Sequence, residues 1–124
     1  MNRFLMALLL GLASLAHTTA AWAHGDAKAR HGGIVQQASD LSFELVSDAK
    51  GVVIYVEDHG QPLAPTGMSG KLTVLKGSEK TDYPLTASAD RLEASGAQLP
   101  KGAKAVAVIN GAGKKTITVR FSIR

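Results

Sequence analysis

The final eight residues alternate without a break. Ile117, Val119, Phe121 and Ile123 are apolar, and Thr118, Arg120, Ser122 and Arg124 are polar. A period of two puts the two sets on opposite faces of an extended strand, and the apolar face then needs a partner layer. The same alternation occurs at Leu41, Phe43 and Leu45 with Ser42 and Glu44, and at Leu72 and Val74 with Lys71 and Thr73. Gly51 opens the β-branched and aromatic run Val52-Val53-Ile54-Tyr55-Val56, a composition suited to a central strand. Shorter strands are predicted at Tyr83 to Thr86, Arg91 to Ala94 and Lys104 to Ile109. Turn clusters separate them: Glu57 to Pro62, Lys76-Gly77-Ser78, Ala87 to Asp90, Ser95-Gly96 and Asn110 to Gly113. No segment beyond residue 23 carries a helical period. Seven or eight short strands at this spacing predict one all-β domain over residues 34–124, an antiparallel β-sandwich of immunoglobulin-like or cupredoxin-like form.

The start of the chain has a different grammar. Arg3 precedes the apolar run Phe4 to Ala16, and small residues stand at Ala21 and Ala23, so residues 1–23 read as a secretory signal peptide. The run is shorter than the roughly 20 residues that span a bilayer, and the chain has no cysteine to carry a lipid anchor. Cleavage after Ala23 sends a chain that does not span the membrane to a compartment such as a bacterial periplasm. It also makes His24 the first residue of a polar, flexible leader, His24 to Gly33.

From His24 onward 101 residues remain, enough for one domain and too few for two. Without cysteines the fold must hold by its core alone, and thiolate nucleophiles and zinc–thiolate sites are excluded. The same stretch carries 13 basic and 10 acidic side chains, a net charge of +3. Lys71, Lys76, Lys80, Lys101, Lys104, Lys114 and Lys115 are scattered along the sequence, a distribution that serves solubility and discourages edge pairing. Nucleic-acid binding wants clustered charge with interleaved aromatics, whereas Phe43, Tyr55, Tyr83 and Phe121 lie in separate segments. No nucleic-acid partner is expected.

Three histidines follow residue 23: His24, His31 and His59. None lies in an apolar strand. At a free amino terminus His24 offers an amine and an imidazole that close a chelate ring, and nitrogen donors of this kind favour copper among the first-row divalent ions. His31 precedes Gly32-Gly33, and His59 sits in the Asp58-His59-Gly60 turn. Loops at one end of a sandwich gather residues distant in sequence, so one metal site built from His24, His31 and His59 is the sharp expectation. The bland alternative is three solvated loop residues. Met68, in a glycine-bearing loop, offers a soft thioether or simply covers apolar surface. Asp26, Glu57 and Asp58 are placed to orient an imidazole or to be solvated. No nucleophile elbow, phosphate-binding glycine pattern or His-Glu-x-x-His helix is present, so no enzyme is expected.

The stretches His31-Gly32-Gly33-Ile34-Val35, Asp40 to Val46 and Val53 to Pro62 resemble a small exported β-domain. Such domains occur as stand-alone periplasmic proteins of proteobacteria. They are also similar to the β-domain near the amino terminus of heavy-metal efflux adaptor subunits, which share a His-Gly-Gly opening. The resemblance covers Gly25 to Gly70, and the remainder only by strand pattern. It implies a non-enzymatic periplasmic role in handling copper or another transition metal, alone or beside an efflux adaptor as envelope partner, with His31 and His59 as the matching positions. His24 is similar to the first residue of small periplasmic copper carriers. Their methionine-rich loop is missing here, which favours Cu(II) or Zn(II) over Cu(I). The competing expectation is a metal-free module that docks an envelope protein, through outward apolar residues such as Val53 and Tyr55.

Overall fold

A computed structural model describes residues 28–124. The predicted signal segment, His24 and the first part of the predicted leader lie outside these residues. Every regular element in the described chain is a strand: β1 Ile34–Ala38, β2 Leu41–Asp48, β3 Gly51–Asp58, β4 Gln61–Leu63, β5 Ser69–Lys76, β6 Glu79–Ser88, β7 Arg91–Ser95, β8 Lys104–Ala112 and β9 Lys115–Ser122. All pairings are antiparallel. No described helix is long and apolar enough to cross a membrane.

The all-β, antiparallel expectation therefore holds, but the strands do not divide into the two separate sheets of the expected sandwich. One ladder runs in the order β1-β2-β3-β7-β6-β5-β8-β9, with β4 appended to β3. The sheet curls until β1 packs against β9, nearly closing a barrel. The hydrogen bonding stays continuous because β7 returns beside β3 and bridges what would be the two halves. β5, β6 and β7 are joined by hairpins and β8 comes back to lie beside β5, which is a Greek key.

Alternation fills the interior. Phe43 and Leu45 of β2, Val52, Ile54 and Val56 of β3, Leu72 and Val74 of β5, Leu85, Leu92, and Ile117, Val119 and Phe121 of β9 are all buried. β8 contributes small residues opposite large ones, with Ala105 paired to Phe121 and Ala107 to Val119, so the taper of the barrel is filled without overlap. Met68 lies in the loop before β5 as expected, but it is only 8% exposed and packs in this core. Asn110-Gly111 also behaves differently from the expected turn. β8 continues through it to Ala112, with a register shift between Ile109 and Ala112, and the chain reverses at Gly113-Lys114. Both turn residues have positive φ, as a two-residue hairpin of matching twist requires, and Asn110-Gly111 serves as a bulge.

Candidate functional site

The outer face of β2 and β3 carries a buried carboxylate. Glu44 lies between Phe43 and Leu45 and was expected to face solvent, yet it is only 6% exposed. The chain before β1 folds over it. The backbone N–H groups of Arg30, His31 and Gly33 donate to its two oxygens at 2.9, 2.8 and 2.9 Å, and the His31 ring Nδ1 lies 3.0 Å from Oε1. Burial by itself pushes the Glu44 pKa up. The bonds from Gly33, the His31 ring, Arg30 and the His31 backbone outweigh it and hold the carboxyl below its ordinary value.

The His-Gly-Gly sequence makes this geometry possible. Gly32 takes φ +72°, where a side chain is strained. A Cβ at Gly33 would collide with the carbonyl of Leu45 and with Val46. With both glycines in place the His31 ring lies flat on Tyr55, centroids 3.6 Å apart and planes 5° from parallel. Tyr55 is the cross-strand neighbour of Glu44. Arg30 forms an ion pair with Glu57 and donates to the Gly60 carbonyl, while Arg91 donates to Glu93 at 3.0 Å and to the Tyr55 hydroxyl at 3.4 Å. Val53 is 5% exposed and Tyr55 half-buried, so the outward apolar pair suggested for docking is already covered. Residues 30–33, read in the sequence as part of a flexible leader, are tied to the sheet.

The two described histidines have different carboxylate partners. His31 is held by Glu44 and Tyr55, whereas His59 stands in the β3–β4 turn with its ring Nδ1 2.6 Å from Asp58 Oδ1. That turn uses positive φ at both His59 and Gly60, and the His59 side chain is 87% exposed. His24 and Asp26 lie outside the described residues. Among the described residues no three His, Asp or Glu side chains form a group able to hold a metal ion. Met68 turns into the core, and Glu57 is engaged by Arg30. What the site does offer is two imidazoles, each bonded through Nδ1 to a carboxylate. An imidazole that donates from Nδ1 carries its lone pair on Nε2, the arrangement seen when a carboxylate orients a metal-ligating histidine.

Glu44 is the residue that reading the sequence missed. Its one visible signal is an ionisable side chain in the middle of a strand that opens beside a His-Gly-Gly turn. No known family model, curated protein or solved structure matches this chain.

Proposed function

We propose that this chain is a non-enzymatic accessory protein of the bacterial periplasm that binds a divalent transition metal, Cu(II) or Zn(II), through His31, His59 and the His24 amine and imidazole. The carrying observation is the Glu44–His31 pair. Glu44 fixes the tautomer, Tyr55 fixes the ring plane, and Nε2 is left as the donor. One preset imidazole binds weakly, so further donors are needed, and the His24 amine and imidazole supply them, with His59 as the third imidazole of the set. His24 stands seven positions before His31, within reach of it along the intervening chain. Nitrogen donors suit Cu(II) and Zn(II), and the burial of Met68 takes the thioether that Cu(I) would prefer away from the surface.

Calorimetric titration with Cu²⁺ and Zn²⁺ tests this reading. A chain beginning at His24 should bind, and one extra residue before His24 should weaken binding by displacing the amine. His31→Ala and His59→Ala should weaken it as well. The melting temperature of the unextended form should rise with added metal, because the metal binds the folded state. Affinity should fall toward pH 5 as the donors are protonated. Equal binding by a variant lacking His24, His31 and His59 would overturn the proposal.

A further inference from the structure

The lysines that look scattered in the sequence are gathered by the register. On the outer face of β6, β5, β8 and β9 three cross-strand rows run side by side: Pro84–Lys71–Val108–Thr118, Asp82–Thr73–Val106–Arg120 and Lys80–Leu75–Lys104–Ser122. Lys71, Lys80, Lys104 and Arg120 are exposed, and Leu75, Val106 and Val108 are half-buried among them. Asp82 is the one acid in these rows. It sits 3.8 Å from Lys71 and accepts the Thr73 hydroxyl at 2.6 Å. Four cations against one anion leave a net +3, as much as the whole chain carries from His24 onward.

We infer that this face docks an acidic protein surface, with Leu75, Val106 and Val108 as the apolar centre and Lys71, Lys80, Lys104 and Arg120 as the cationic rim. An apolar middle within a polar, charge-complementary border is the anatomy of protein interfaces. A nucleic acid would want aromatic platforms for its bases, and an anionic membrane would want large apolar side chains reaching past the headgroups. The three rows hold no aromatic side chain, and their one leucine, Leu75, is half-buried. Four strands about 4.8 Å apart and five residues of about 3.3 Å rise give a face of roughly 300 Å², in the range of small, weak and transient contacts. The inference is independent of the metal reading, because no residue of the rows belongs to the His31 site.

The test uses protein expressed from the full 124-residue chain, labelled with ¹⁵N, and a blocked peptide of alternating Glu and Val as the probe. Amide shifts should change along Lys71 to Leu75, Lys104 to Val108 and Thr118 to Ser122, and disappear in about 0.5 M NaCl, where the Debye length shrinks to a few ångströms. Lys71→Glu/Lys104→Glu/Arg120→Glu should weaken the peptide by about tenfold or more, and Lys104→Gln/Arg120→Gln gives a milder loss in a variant with less altered charge. Val106→Thr/Val108→Thr should weaken it at unchanged charge. Shifts centred elsewhere, or no binding by the unaltered protein, would overturn the inference. So would binding to phosphatidylglycerol vesicles but not to the peptide, which would assign the face to lipid.

Discussion

On β2 and β3 the outward Glu44 and Tyr55 are engaged by the chain before β1 and by Arg91, and Val53 is buried, whereas on β5 and β8 the outward Lys71 is exposed and Leu75, Val106 and Val108 are half-buried. The strands themselves alternate in the same way. The difference comes from what lies beside them. Gly32 and Gly33 let the chain turn back onto β2, and Glu44 supplies acceptors for the N–H groups that β1 pairing does not satisfy. Among the described residues nothing comparable folds over β5 and β8, and Lys71, Lys104 and Arg120 are exposed. One curled sheet therefore has an outer face organised around a single acid, with a preset imidazole, and another carrying the cationic excess. The proposed metal ion falls to the first of these faces and the proposed acidic surface to the second.

Both faces share one interior, and emptying it should break both together. Phe121→Ala leaves a hole opposite Ala105, a residue too small to fill it, and should cost about 3–5 kcal/mol in urea titration. Amides of β2 and of β8 should lose protection in the same transition. If the β2 face outlasts the β8 face, the two do not rest on a common core. Glu44→Ala should cost less, about 2 kcal/mol, because its hydrogen bonds to charge are lost while the freed N–H groups regain water. Its signature is local. Hydrogen exchange should speed up at Arg30, His31 and Gly33, with little change on β5 and β8.

The same acid gives the pH dependence. In the folded state the Glu44 pKa lies below its ordinary value of 4.5. Its contribution is therefore fully present above the unfolded-state pKa and is lost as pH falls through the folded one. Protection of the Arg30, His31 and Gly33 amides, taken relative to their intrinsic exchange rates, should fall below about pH 4.5, and Glu44→Gln should remove that acid-side step. A Glu44→Gln protein that keeps the step would place its origin in another carboxylate.

The strands were legible because a period of two needs no knowledge of partners, and Ile117 to Ile123 display it most plainly. The continuous sheet was not, since the pairing of β7 with β3 is set by long-range packing. Tertiary context also decided Asn110-Gly111, where a hairpin signal became a bulge because β8 still had Ala112 to pair with Lys115. His31 and His59 stood out in the sequence as unburied imidazoles. Glu44 did not, because alternation assigns it to the outer face and says nothing of what lies over that face. The cationic face was hidden for a related reason: Lys71, Lys104 and Arg120 are far apart in sequence and adjacent only through the β5–β8–β9 register.

The smallest expected effect separates the acids of the two faces. Asp82 is held below its ordinary 3.8 first by the Thr73 hydroxyl, against a weaker opposing push from burial, and then by Lys71 and Lys80. Unlike Glu44 it remains open to water, so Thr73→Val deprives it of one donor without stranding the charge. The variant should leave the folding midpoint nearly unchanged, and the Asp82 carboxyl, followed by NMR titration, should move up toward 3.8. Thr73 is itself only 8% exposed, and valine fills its place between Asp82 and Val106 without polar consequence elsewhere in the row. If the Asp82 pKa stays low, Lys71 and Lys80 alone hold it there, and the acid is bound to this face by the same positive field that an acidic partner would meet.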